Sequence, residues 1–493
     1  MFASSETSIL GIILLVALAI LGWGFYRARP FGKLGILAWL QSVVLMSPWL
    51  LFFGLFAAGI YINIVGILFL VVGSAGLYIY LGRQLRSAGQ DAILQQRATE
   101  RLAAESSPPP ENIPQPVGVV VEIMPIPEED LNVIKGIFGI DTFFATETIA
   151  YQDGAIFKGN LRGESQEVHT RLSKSLQEKL GEKYRLFLVE NTDGRPVVIV
   201  LPSTNDPRPT TLPQKVFAAI LAIATIGTSL ETAGLLLNFD LFSTPARLQE
   251  ALPIGVGIFA VLVAHEIGHW LLARRHQVRL SWPFFLPAVQ IGSFGTITRF
   301  ESLLPNRSVL FDIAVAGPIA GGIVSLLMLI VGLLLSHQGS LFQLPNQFFQ
   351  GSILVGSLAR VVLGSGLQSP LVNVHPLVII GWLGLVITAL NLMPAGSLDG
   401  GRIVQAIYGR KIAGRATFAT LIVLALVALG NALAMYWAIV ILFLQRDLER
   451  PNLNEISEPD DARAALCLLV LFLMITTLLP LTPGLAGRLG IGG

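Results

Sequence analysis

The sequence predicts an all-α polytopic membrane protein of about eight to ten transmembrane helices, carrying a small soluble α/β insert and a short membrane-reentrant β hairpin. Composition carries the first part: 53% of the 493 residues are hydrophobic and 13% charged, with a mean hydropathy of +0.68. Charge placement carries the second. Residues 83–215 hold 15 Lys/Arg and 18 Asp/Glu, about half of all charges in the chain, so one soluble segment interrupts a membrane body. The hairpin is read from Phe284 to Phe300, which is apolar, broken by Gly292 and Gly295, alternates Thr296 and Thr298, and is too short to span twice.

Taken in order, apolar stretches near the roughly 20 residues of a spanning helix fall at 8–26, 36–58, 60–81, 216–237, 252–273, 308–335, 374–393, 416–445 and 463–482. The first, Ser8 to Tyr26, has no basic run before it and no small-residue cleavage site after it, the pattern of an anchor rather than a removable signal. With the next two it makes an N-terminal three-helix anchor over 1–82. Within 416–445, Gly430 and Asn431 form either a turn between two short spans or a polar spot inside one tilted helix. Lys and Arg in short loops mark the cytoplasmic side. Arg27, Arg29 and Lys33, then Arg83 and Arg86, then Arg274, Arg275 and Arg279, and finally Arg402, Arg410, Lys411 and Arg415 all fall inside if the N-terminus is outside.

Residues 83–116, with Pro108-Pro109-Pro110, read as a stem passing into an extended linker. A compact α/β domain follows over 117–205. Val119–Ile123 and Val197–Leu201 are β-branched apolar runs, Arg185–Glu190 alternates, and Ser165–Leu180 carries Val168, Leu172, Leu176 and Leu180 at helical spacing. His169 falls on the polar face of that helix and is expected to be solvated. A membrane core spans 214–450, and a last helix and tail span 451–493. A net charge of +1 overall and −3 in the insert, without a basic run, excludes nucleic-acid partners. Cys467 is the only cysteine, so no disulfide framework exists.

In the fifth span the chain reads His265-Glu266-Ile-Gly-His269, the H-E-x-x-H pattern. On a helix, residues four apart share a face, so the two imidazoles converge. The glutamate, rotated by about 100°, reaches a water bound between them. Two imidazoles and one further ligand make the open three-ligand site of catalytic zinc, one Zn2+ per chain, with Glu266 as general base towards the zinc-activated water. Ionisable groups inside a span are costly and mark function. The third ligand lies among Glu231, Asp240, Asp312, His375 and Asp399. Topology favours Asp399, which follows the seventh span on the same side as the histidines, with Asp312 the runner-up. Asp399 lies in Asn391-Leu-Met-Pro394-Ala-Gly396-Ser-Leu398-Asp399-Gly400-Gly401-Arg402, where Pro and Gly break regular helix as backbone lining a cavity does.

HEIGH in a membrane helix followed by N-x-x-P-x-x-x-L-D-G-G resembles the site-2 protease family of intramembrane zinc metalloproteases, most strongly over 215–450. The resemblance implies zinc held by His265, His269 and Asp399, with Glu266 as catalytic base. Gly295-Thr-Ile-Thr-Arg-Phe300 resembles the family's membrane-reentrant hairpin, and Ala316-Gly317-Pro318 its helix break. Gly396 stands where many members carry a second proline. Ile134–Phe144 and Gly159-Asn-Leu-Arg-Gly163 in the insert look like the ethylene-dependent gravitropism-deficient and yellow-green branch of plastids and cyanobacteria, which implies a photosynthetic membrane.

The expected reaction is hydrolysis of peptide bonds of membrane-protein substrates in or near the bilayer, the hairpin offering its edge to an unwound segment by β-augmentation. Asn391 is placed either to donate to the oxyanion or to satisfy a freed helix-end carbonyl. The expected partners are the lipid bilayer, a transmembrane protein substrate and an adaptor on the insert. The expected location is a plasma or thylakoid membrane, with the active site facing the cytoplasmic or stromal side. A transporter would spread charges through several spans in two related halves, which this sequence does not do. A scaffold would need no metal.

Overall fold

The computed structural model describes most of residues 21–57, parts of 70–85, and 126–491 apart from a few positions. The expected first and third spans and the apolar run Val119–Ile123 fall largely or wholly outside the described residues. Two compact units result: Met1–Val120 with Ile422–Ile439, and Val121–Leu421 with Val440–Gly493. In the first, helix α1 (Gly32–Ala57) is anchored by Trp39, whose indole N–H donates to the carbonyl of Leu21 at 2.9 Å.

The second unit opens with a helix and sheet layer. Helix α2 (Glu128–Lys135) is followed by strands β1 (Phe143–Tyr151) and β2 (Gly154–Leu161), helix α3 (Ser165–Leu180), then β3 (Tyr184–Glu190) and β4 (Pro196–Pro202). The antiparallel sheet runs β1-β2-β4-β3. Its inner face, with Phe157, Leu186, Leu188, Val198 and Val200, meets Val168, Leu172 and Leu176 of α3. His169 is buried, contrary to the expected solvated position. Its Nε2 lies 3.2 Å from both the Leu186 carbonyl and the Ser173 hydroxyl, because α3 presses a face wider than its four apolar positions onto β3. Burial holds its pKa below the ordinary histidine value.

The helical part begins with α4 (Leu212–Leu236) and α5 (Leu248–Arg275), joined to the hairpin β5 (Phe284–Ala288) and β6 (Gly292–Ile297) and to α6 (Arg307–Leu335). A two-stranded sheet of β7 (Phe342–Pro345) and β8 (Leu371–Val374) flanks α7 (Ile353–Leu363). Then come α8 (Pro376–Asn391), α9 (Asp399–Val427), α10 (Ala432–Val440) with a π-helical turn to Gln445, and α11 (Asp461–Leu478). Among the described residues, four helices are long and apolar enough to cross a membrane: Leu212–Leu236, Pro245–Arg275, Arg307–Leu335 and Asp461–Leu478.

Several expectations change. The seventh span is a 16-residue helix, shorter than the expected 374–393, because β8 occupies its start and the Pro394 loop its end. Of the two readings open for 416–445, the turn between two helices is the one found, α9 ending at Val427 and α10 starting at Ala432, with Asn431 capping the new helix through its side chain. Helix α6 runs continuously through Pro318 rather than breaking at Ala316-Gly317-Pro318. Arg402, counted among the inside loop cations, is buried, and so is Arg307. Arg307 donates to the carbonyls of Ala406 and Ile407, and Arg402 lies beside the hairpin.

The insert is joined to the helical part by a short extended segment after α10. Leu188 of edge strand β3 donates to Leu453 at 2.8 Å and accepts from Glu455 at 2.9 Å. On its other side the segment donates from Leu453 and Asn454 to the carbonyls of Leu304 and Pro305.

Candidate metal centre

Helix α5 places His265 and His269 one turn apart, with rings 4.7 Å between centroids. Their Nε2 atoms are 3.0 Å apart. Oδ2 of Asp399, the first residue of α9, lies 3.1 Å from His265 Nε2 and 3.4 Å from His269 Nε2. All three side chains are buried. A tetrahedral ion with bonds of about 2.0–2.2 Å needs donors about 3.3–3.5 Å apart, close to these three separations. The donor set, two imidazoles and a carboxylate, is one that catalytic zinc takes, leaving the fourth position open.

The ring of His269 has a fixed tautomer. Its Nδ1 is 2.8 Å from the carbonyl of Ile313, which can only accept, so Nδ1 carries the proton and Nε2 presents its lone pair to the site. Helix α6 comes close enough to offer that carbonyl because Gly317 lies against the ring: a Cβ there would sit 2.2 Å from His269 Nε2. The importance of the Ala316-Gly317-Pro318 stretch is therefore close approach.

Asp399 is delivered by a loop closed on itself. Gly396 has φ 48°, in the left-handed region, with the Gln445 carbonyl where a Cβ would go. Proline, fixed near −65°, could not stand there, which accounts for the departure from the family's second proline. Gly396 N–H donates to Thr417 Oγ1 at 2.8 Å, and Ser397 N–H to Gln445 O at 2.9 Å.

Glu266 lies beside the centre, one carboxylate oxygen being within 4.8 Å of the histidine nitrogens. Two hydroxyls from the hairpin hold it: Thr296 donates to Oε1, and Thr298 donates to Oε2 at 2.9 Å. Residues two apart share a strand face, so β6 and its extension present both hydroxyls together. The hairpin is fixed in turn. Phe284 pairs with Ile297 and Ala288 with Gly292, Thr228 and Thr232 of α4 donate to Gly292 O and Val289 O, each at 2.6 Å, and Arg402 donates to Thr298 O at 2.7 Å. Arg402 also pairs with Glu449 at 2.9 Å, lies over Phe300, and stands 3.9 Å from Asp399 Oδ1.

The other expected candidates are engaged elsewhere. Asp312 makes a two-pronged pair with Arg463 at 2.7 and 2.8 Å. Glu231 accepts from Leu241 N–H at 3.0 Å, Asp240 caps Ser243, and His375 caps α8. Asn391 is buried, its amide donating to Ile387 O at 2.8 Å and to Phe294 O at 3.3 Å. The two threonines on Glu266, Gly317 and Arg402 were not read as site residues from sequence. The alternation of Thr296 and Thr298 was the available signal.

Residues 254–433 match the family model described as Peptidase family M50, and residues 132–207 match that of the EGY3 middle domain. The chain is similar to the probable zinc metalloprotease EGY1, chloroplastic, of Arabidopsis thaliana, with 38% identity over 402 residues that cover 74% of this chain and 73% of the relative. It is also similar to EGY1 of Oryza sativa subsp. japonica, at 36% over 405 residues (74% and 69%), and to EGY2 of Arabidopsis thaliana, at 37% over 365 residues (72% and 66%). No solved structure matches it.

Proposed function

Because the chain belongs to peptidase family M50, in the branch of the EGY zinc metalloproteases, we propose that it hydrolyses peptide bonds of membrane-protein substrates in or near the bilayer, with Glu266 as general base. It is a zinc metalloprotease whose cofactor is Zn2+. In this reading His265, His269 and Asp399 hold the metal. The observation that carries it is the convergence of their Nε2 and Oδ2 atoms at 3.0–3.4 Å in a buried setting.

Bound zinc supplies a Lewis acid that acidifies water and polarises the scissile carbonyl. Glu266 receives the proton of the attacking water and passes it to the leaving amine. Thr296 and Thr298 hold its carboxylate towards the centre. The hairpin re-enters the membrane and pairs with a locally unwound substrate segment through β6, which sets the scissile bond near Glu266. Asn391 anchors the hairpin to α8 in this scheme, since its amide already donates to two backbone carbonyls; that replaces the oxyanion role open to it from sequence. The α/β domain over 117–205 serves as an accessory to the core over 214–450. The chloroplastic relatives support a thylakoid location, and the basic loops support a stromal-facing centre.

Purified protein should contain one zinc per chain and cleave a single-span substrate. Glu266→Gln should keep the zinc and lose cleavage, and His265→Ala should lose both. Full proteolysis by Glu266→Gln would overturn the mechanism.

A further inference from the structure

Thr296 and Thr298 both donate to Glu266, yet the fold holds them differently. Thr296 lies inside the hairpin ladder opposite Phe285, and β6 ends one residue later at Ile297, opposite Phe284. Thr298 lies beyond that end, between the last rung of the ladder and the single bridge of Leu280 to Phe300. Strand pairing therefore fixes the first hydroxyl and leaves the second to other contacts.

Those contacts grip the peptide that joins Thr298 to Arg299 at both ends. Its N–H donates to Ser281 Oγ at 3.0 Å, and its carbonyl accepts from Arg402 Nη2 at 2.7 Å. The Arg402 guanidinium also lies over Phe300, 4.8 Å from the ring centroid. A peptide held in this way limits where the Thr298 hydroxyl can point. Arg402 is oriented in turn by Glu449, whose Oε2 lies 3.0 Å from Nε and 2.9 Å from Nη2. Its remaining nitrogen, Nη1, stands 3.9 Å from Asp399 Oδ1, while the other oxygen of that carboxylate faces the two histidines. Residues three apart share a helix face, which brings Asp399 and Arg402 together in the first turn of α9. A guanidinium is costly to bury unless its donors are used. Glu449 alone would account for an ion pair within the fold; the bond to Thr298 and the approach to Asp399 are additional, and a rigid planar fork is what reaches all three.

We propose that Arg402 is a positioning residue: through the Thr298 carbonyl it directs the Thr298 hydroxyl onto Glu266, aligning the base with the carboxylate that Asp399 brings to the centre. The inference rests on the proteolytic reading, with Glu266 as base, and adds the group that orients it. Kinetics would be measured on the full-length protein in nanodiscs with a single-span substrate. Arg402→Lys keeps a cation for Glu449 but lacks the fixed fork that spans Glu449 and Thr298. It should keep its zinc and its KM and lose about tenfold in kcat, the loss expected of Thr298→Val. Arg402→Gln/Glu449→Gln removes both buried charges together and should show the same loss. The pattern of coupling separates positioning from a structural role. Adding Arg402→Lys to Thr298→Val should lower kcat no further, whereas adding it to Thr296→Val should multiply the two losses. Losses that multiply equally with both threonines would overturn the proposal, as would parental kcat in both Arg402 variants. Amide exchange gives a readout independent of cleavage. The Arg299 amide, which belongs to the gripped peptide, should exchange about tenfold faster in Arg402→Lys while the amides of Gly292–Ile297 stay as they were. Unchanged exchange at Arg299 would overturn the hold on Thr298. A parent protein that cleaves nothing would overturn the proteolytic reading instead, and exchange at Arg299 would still decide whether Arg402 holds Thr298.

Discussion

Thr296 and Thr298 tie Glu266, the proposed base, to the hairpin. Each hydroxyl donates to a different oxygen of Glu266, and hydrogen bonds to a charged group are worth about 1.5–3 kcal/mol. Thr298→Val keeps the shape and removes the donor, so kcat should fall about tenfold or more with KM and zinc content little changed. Thr298→Ser restores the hydroxyl and should restore kcat; an unimpaired valine variant would show that the contact has no part in catalysis. The double valine variant should fall further than either single one, because both oxygens then lose their donors. The centre was legible from sequence where its geometry is local. His265 and His269 are four apart on one helix, and Asp399 was picked out by its depth and its glycine-rich surroundings. The threonine clamp joins residues 30 and 32 positions apart, and the Ile313 carbonyl that fixes His269 lies 44 positions away. No periodicity encodes such pairs.

Helix α6 shows how an element rather than a residue positions the centre. It passes α5 so closely that Ala316 O lies where a Cβ on Gly268 would stand, 2.4 Å away, while Gly317 lies under His269. Gly317→Val should force the helices apart or rotate the imidazole, and zinc content measured on purified protein should drop well below one per chain even though Gly317 ligates nothing. Retention of full zinc would mean that α6 yields without cost. Long apolar helices α4, α5 and α6 were legible from hydropathy. Residues 336–375 were not, since β7, α7 and β8 are too short and mixed for a sliding hydropathy pattern to resolve. In the insert, α3 was legible by its helical spacing, yet His169 was misjudged because its neighbour on the packing side is β3, which the helix's own pattern does not contain. Its folded pKa lies below the ordinary value through burial, so the neutral form is the one that fits. The contribution is complete above the unfolded pKa of about 6.5 and is lost as pH falls towards the depressed folded value. Hydrogen exchange along Tyr184–Glu190 in the full chain should therefore quicken, relative to its intrinsic rate, as pH drops below about 6.5. His169→Gln should flatten that dependence.

At the scale of the second unit, the insert and the helical part are held together by a segment that neither would possess alone. Leu453–Glu455 is a one-bridge extension of the insert's sheet and, through its other backbone groups, a continuation of the chain entering α6. Asn454 sits at the centre of this joint and is fully buried. Its N–H donates to Pro305 O, its side-chain amide donates to Gln166 of α3 at 3.2 Å, and its side-chain oxygen accepts from Ile456 and Ser457. One side chain thus satisfies groups in the insert and in the connecting segment at once. Removing it leaves two half-buried backbone donors and a half-buried acceptor without this partner, at up to about 1–3 kcal/mol each. Asn454→Ala should therefore loosen the joint while leaving each part folded: amide exchange at Leu188 and Leu453–Glu455 should accelerate about tenfold or more, whereas exchange in α5 and the zinc content stay as they were. Exchange that quickened equally throughout the insert and the helical part would mean that the unit unfolds as one body, and that the insert is integral to the core rather than docked upon it.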